Sequence, residues 1–287
     1  MHCSKEFVRY ELVGDGRVRA IFSDGSDDFG DLLVGADASN SRVRRQYLPT
    51  IQRYEVGVLN IAGRYPLTPA TERALPTALT DGSLNNVVPP HSDWMFASAW
   101  RSAHSTSADD NYVVWAYVAA RTTYPADIDT LDGAALRDLV LNRIHRWSAL
   151  LRTLVQNSDA ATLARVPLRS MPQLAAWPAT QITLIGDAIH NMTPMAGIGA
   201  NTALLDAATL TRALVESRER SAPTEAAVGA YEEAMRAYAN RAVALSAKNS
   251  LRAASPDQLS RFAFRTALRV AGVVPPFRRR MFASANK

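Results

Sequence analysis

The 287-residue chain has a single cysteine, Cys3, so no disulfide can form within it. Its five histidines are scattered, with no pair at the spacing of zinc ligands, and no metal site is expected. No uncharged run reaches the ~18 to 20 apolar residues of a membrane-spanning helix. The longest candidate, Met171 to Gly186, is interrupted by Pro172, Gln173, Pro178 and Gln181. The opening MHCSKEFVRYE carries Glu6 and Glu11 and lacks the apolar core of a secretory signal, so a reducing, cytoplasmic setting is the expectation. Acids nearly vanish at one end: residues 240–287 hold ten Lys/Arg and one acid, Asp257, in a chain of net charge +5. There, Arg261, Arg265 and Arg269 recur every fourth residue, one side of a helix, and read as a solvated basic face. A nucleic-acid module would interleave aromatics with such charge, and no nucleic-acid partner is expected.

What is present is a globular composition, 47% hydrophobic and 21% charged, enough for one large domain or two small ones. From Phe7 to Val34 apolar and polar residues alternate around Asp-Gly turns, which predicts antiparallel strands feeding a short apolar strand at Leu32 to Val34. WMFASAW (94–100) and YVVWAYV (112–118) predict two aromatic strands joined by the polar loop 101–111. Three-to-four spacing predicts one amphipathic helix over 134–155, and further helices over about 202–217, 224–251 and 258–271, with Pro275-Pro276 ending the last.

The stretch richest in chemistry is an apolar strand, Ile182 to Ile185, followed by GDAIHNMTPMAGIGAN and a helix. Ligands bind at the carboxyl ends of strands in α/β sheets, which is where Asp187 stands, and its carboxylate can accept hydrogen bonds from a polyol. Gly197 and Gly199 let backbone approach a flat ligand, and the free amides opening the helix offer donors to negative charge.

Residues 182–214 closely resemble the second flavin-binding motif of the FAD-dependent aromatic hydroxylases, the class A flavoprotein monooxygenases, through Gly186, Asp187, His190, Pro194, Gly197, Gly199, Asn201, Asp206 and Leu210. DLLVGADASNSRVRR (31–45) resembles that family's middle motif through Asp37, Ser41 and Arg44, with Ala38 where the usual residue is glycine. IAGRYPLT (61–68) and the aromatic strands are similar to its substrate domain. The resemblance implies an α/β fold: a partial dinucleotide-binding (FAD) layer (1–50 and 165–215), a mixed β-sheet substrate domain (51–164) and C-terminal helices (216–287). It implies a cofactor site of Asp37, Gly186, Asp187, Pro194, Gly197, Ile198, Gly199, Ala200 and Asn201, lying against the aromatic face of the sheet. Asp187 would hold the ribityl chain, Pro194 would border the active site, and the amides from Gly197 to Asn201 would face the flavin pyrimidine. No catalytic residue is assigned, and His190 reads as a packed histidine because no partner acid can be named.

The family's opening βαβ unit with GxGxxG is not in this sequence, and GIGANT (197–202) follows a loop rather than a strand. Tight binding of FAD by this chain alone is therefore not expected, while a homo-oligomer or a separate flavin-domain polypeptide is. The function implied is FAD-dependent hydroxylation or epoxidation of a small aromatic or secondary-metabolite substrate, with NAD(P)H as electron donor. A flavin-independent isomerase, cyclase or aldolase, and a non-catalytic relative, are the alternatives.

Overall fold

A computed structural model describes residues 2–14, 16–102 and 110–277. The centre of the polar loop 101–111 and the last basic residues, Arg278 to Arg280 and Lys287, lie outside the described residues. Two compact units result, one of residues 1–56 with 169–250 and one of 57–168 with 251–287.

The chain opens with an antiparallel meander of β1 (Phe7–Leu12), β2 (Val18–Phe22) and β3 (Asp27–Gly30). Arg19 on its exposed face bridges Glu11 and Asp27 on the flanking strands, pairs that fix register more than they stabilise. The apolar strand follows as β4 (Leu33–Gly35), and a loop leads to α1 (Arg42–Tyr47), whose amide at Arg44 is capped by the Ser41 hydroxyl at 2.8 Å.

The second unit holds a five-stranded sheet. Its strands are β5 (Tyr54–Pro66), β6 (Asn85–Val87), β7 (Trp94–Trp100), β8 (Tyr112–Ala120) and β9 (Ala164–Ser170), in the order β6-β7-β8-β5-β9. Short α2 (Pro69–Arg73) follows β5. Where one helix is predicted over 134–155 there are two, α3 (Gly133–Arg143) and α4 (Ala149–Gln156). The break is local chemistry: the Trp147 amide turns back to the Ile144 carbonyl, and Ser148 then caps the amide of Leu151. Ile61, Met95, Trp115, Tyr117, Val140 and Leu154 form one core, and the polar ends of its rings are satisfied. Trp115 donates to the Ser158 hydroxyl at 2.7 Å and Tyr117 to the Asp93 carboxylate.

β10 (Ile182–Leu184) returns to the first unit and pairs in parallel with β4, Ile182 opposite Leu33. It leads into α5 (Asp187–His190), α6 (Gly199–Glu219) and α7 (Thr224–Ala254). Val43, Ile182, Leu184, Ile189, Tyr231 and Met235 pack as a second core, and the Tyr231 hydroxyl donates to the Leu184 carbonyl at 2.9 Å. The C-terminal helices are thus divided, α7 packing with the first unit up to Ser250 and α8 (Gln258–Val273) with the second. Of the arginine face of α8 expected to be solvated, only Arg269 is exposed. Arg261 is buried and donates to carbonyls of Ser255, Pro89 and Asp93, and Arg265 to that of Val88. No helix among the described residues is long and apolar enough to cross a membrane.

Candidate functional site

The fully buried strand β10 ends at Gly186, whose φ of +60° and ψ of −141° lie in a region open essentially only to glycine. A Cβ there would also stand 3.1 Å from the Cβ of Ala203 on α6. The turn therefore requires both a glycine and a small residue facing it. It presents Asp187 to solvent, where its carboxylate has no hydrogen-bond or ion-pair partner among the described residues.

What holds the turn is a carboxylate behind it. Asp206 is fully buried, and its Oδ2 accepts from the Gly186 amide and from His190 Nε2, each at 2.6 Å. Its Oδ1 accepts from the Tyr238 hydroxyl of α7 at 2.6 Å. Burial, then the bond to Asp206, pushes the Tyr238 phenol up, so it stays a donor. His190 thus has the partner acid that could not be named from sequence, and this buried pair supports the turn instead of facing solvent. Asp206 carried a signal in its spacing: Thr202, Asp206 and Leu210 are the buried stripe of α6, and a lone acid on such a stripe must serve donors.

The loop after α5 is fastened to α7. Thr193 donates to the Ser246 carbonyl at 2.8 Å and accepts from Ser250 at 2.7 Å, and Asn249 donates to the Met195 carbonyl. Gly197, at φ +67°, then turns the chain into α6, whose first turn has no side-chain cap and no acid. The amides of its first residues are left for a ligand or water.

These pieces bound an open groove of about 620 Å³. Of the residues named from sequence, Gly186, Asp187, Pro194, Gly197, Gly199 and Ala200 line it, joined by Ala36, Ala38 and Ala203. Three do not line it. The Asp37 carboxylate is turned to the Arg42 amide (2.6 Å) as a cap of α1, Ile198 packs with Met192, Ala242 and Val243, and Asn201 faces outward on α6. Ala38 holds φ +60°, the left-handed conformation a glycine would hold freely. Arg44 is buried and ties two sides of the groove together, donating to the Ala188 carbonyl at 2.5 Å and the Ser39 carbonyl at 3.0 Å. A second cavity of about 430 Å³ lies beside it, lined by Arg44, Arg45, Arg53 and Arg169 with Glu55.

A profile described as FAD binding domain matches residues 11–246. The chain belongs to this family, that of the class A flavoprotein monooxygenases. Among curated relatives, this family member is 29% identical over 269 residues to the dual O-methyltransferase/FAD-dependent monooxygenase CTB3 of Cercospora beticola, covering 83% of this chain and 30% of the relative. It is 27% identical over 247 residues to the corresponding elcB protein of Phaeosphaeria nodorum, covering 73% and 26%. A crystal structure from Photorhabdus luminescens, described as a candidate FAD-containing monooxygenase, is 46% identical with a TM-score of 0.78, over 87% of this chain and 68% of that one. The chain thus spans under a third of these two curated relatives and about two thirds of that structure. These relatives do not favour the flavin-independent alternative.

The groove fits a flavin on its own features. Glycine and alanine make up most of its lining and expose backbone, its helix amides are uncapped, and it carries one unpartnered carboxylate. A planar ring with carbonyl acceptors and a hydroxylated chain has complementary groups.

Proposed function

We propose that this chain supplies the ribityl- and ring-contacting half of an FAD site in a monooxygenase that hydroxylates or epoxidises a small aromatic or secondary-metabolite substrate. The observation that carries the reading is the groove itself, where Asp187 and the first amides of α6 converge on a floor of glycine and alanine. Asp187 accepts hydrogen bonds from ribityl hydroxyls. The amides of Gly199, Ala200 and Asn201 donate to carbonyl oxygens of the pyrimidine ring and favour negative charge there. Pro194 borders the reacting edge, and Ala36, Ala38 and Ala203 leave room in the groove for a planar ring. When bound, the flavin supplies the redox chemistry, taking electrons from a donor and activating oxygen for transfer. We assign NAD(P)H as that donor, and the four-arginine cavity, with one acid among its cations, supports a phosphorylated molecule nearby. Expected with this reading are cytoplasmic location and, as partner, a homo-oligomer or a separate flavin-domain polypeptide.

The test is titration of the chain with FAD, followed by flavin fluorescence. A charge-assisted hydrogen bond contributes ~1.5 to 3 kcal/mol, so Asp187→Ala should weaken binding by about ten- to a hundredfold. Its thermal unfolding should not move, because the exposed carboxylate supports nothing in the fold. Weak but saturable binding is the expected result for the chain alone; equal affinity of variant and parent overturns the assignment of Asp187, and absence of even weak saturable binding at high FAD concentration overturns the site.

A further inference from the structure

Helix α8 is built with its polarity reversed. Its arginines Arg261 and Arg265 turn inward to carbonyls, while Leu259, Phe262, Val270 and Val273, spaced by three, eight and three residues, face outward at 78%, 68%, 39% and 80% exposure. With Thr266 they form one stripe along four turns, about 21 Å at 1.5 Å per residue. Val274 and Phe277 continue the exposed apolar surface past the helix end. Besides Phe264, which stacks on Trp94, six of the twenty exposed large hydrophobic residues fall between 259 and 277, so this is a patch and not scatter. A helix whose outer face is apolar is missing whatever should cover it.

Charge narrows the choice of cover. No acid occurs from residue 258 to the end of the sequence, and Asp257 is engaged as the cap of α8 by the amides of Leu259 and Ser260. Laying the stripe of α8 against the same helix of a second copy would bring Arg269, at its flank, toward a surface that offers no carboxylate from residues 258–287. A lipid surface with anionic headgroups meets both requirements. The Leu and Phe side chains enter the boundary of headgroup and acyl chain, and Arg269, which is exposed, stays at headgroup level. A single ridge of side chains needs no matching groove for this, as it would on a protein partner.

We propose that α8 is an interfacial helix that docks this chain on an anionic lipid surface. The test is flotation of the 287-residue chain with vesicles of phosphatidylcholine containing phosphatidylglycerol, against phosphatidylcholine alone. Binding should require the anionic lipid and weaken with salt, and Leu259→Ser with Phe262→Ser should reduce it at least about tenfold. Both side chains face outward, so far-ultraviolet circular dichroism and the unfolding temperature should stay unchanged. Arg269→Gln is the second variant, and it should weaken binding with the apolar stripe intact. No flotation with anionic vesicles overturns the proposal, as does binding that the double variant keeps. A concentration-dependent dimer in ultracentrifugation that the double variant abolishes would give the stripe to a second copy, and an acidic protein that competes for it in place of vesicles would give it to that class of partner. Neither arm uses flavin, so its result is independent of the proposed cofactor site.

Discussion

Glu232 on α7 is 1% exposed, and its Oε1 accepts from the Thr183 hydroxyl of β10 at 2.9 Å. Burial pushes its pKa up from 4.5 to about 6, with Thr183 and Arg236 offsetting part of the effect. An acid whose folded pKa lies above its unfolded one carries extra proton in the folded state between the two values. Its contribution is therefore complete below about pH 4.5 and lost as pH rises through about 6. A rise of about 1.5 units corresponds to about 2 kcal/mol at 1.36 kcal/mol per unit. Glu232→Gln keeps the acceptor for Thr183 and removes the charge. The variant should match the parent near pH 4.5 and exceed it by about 2 kcal/mol above pH 7, roughly 4 to 8 °C in unfolding temperature. Thermal unfolding of both proteins from pH 4.5 to 8 reads this directly, since every other titrating group is common to the two and cancels in the difference. Parallel curves across that range would refute the reasoning, and a variant less stable at pH 8 would show that the ionised carboxylate is wanted where it is.

Two further outcomes concern the groove. Ala38→Gly relieves a left-handed alanine, worth ~1 to 2 kcal/mol, against ~0.4 to 1 kcal/mol of added chain entropy, so calorimetry should find it modestly more stable, and a loss of stability would contradict the strain. Gly186→Ala places a Cβ in a glycine-only conformation 3.1 Å from Ala203 and should cost ~2 to 3 kcal/mol in denaturant unfolding, with flavin affinity falling alongside. Unchanged stability in that variant would mean that the turn relaxes freely.

Local patterns carried much of this fold. The aromatic run 94–100 became β7 with the same ends, because a period of two and bulky rings leave few other conformations. The apolar run at 182–185 and the GxGxN turn gave the strand, the groove and the start of α6. What the sequence hid was set by partners far along the chain. Arg261 points inward because the carbonyls it serves lie 168 and 172 residues away, and helical spacing alone cannot say which side of α8 meets protein. Asp37, which the resemblance puts in the cofactor site, is turned away from the groove by its closeness to two amides of α1. Strands β5 and β9 carry glycine, asparagine and proline in place of clean alternation, so periodicity did not announce them.

The carboxylate of Asp206 draws its three donors from positions 16, 20 and 32 residues distant, on α5, the end of β10 and α7. Freeing the Gly186 amide therefore means parting α6 from its neighbours, with a buried charge left bare as they separate. In the exchange of amide hydrogens with solvent, Gly186 belongs with the slowest class although it sits in a turn next to the exposed Asp187. A ligand resting on that turn meets a backbone that does not open on its own, and it spends little of its binding energy on ordering the residues it touches.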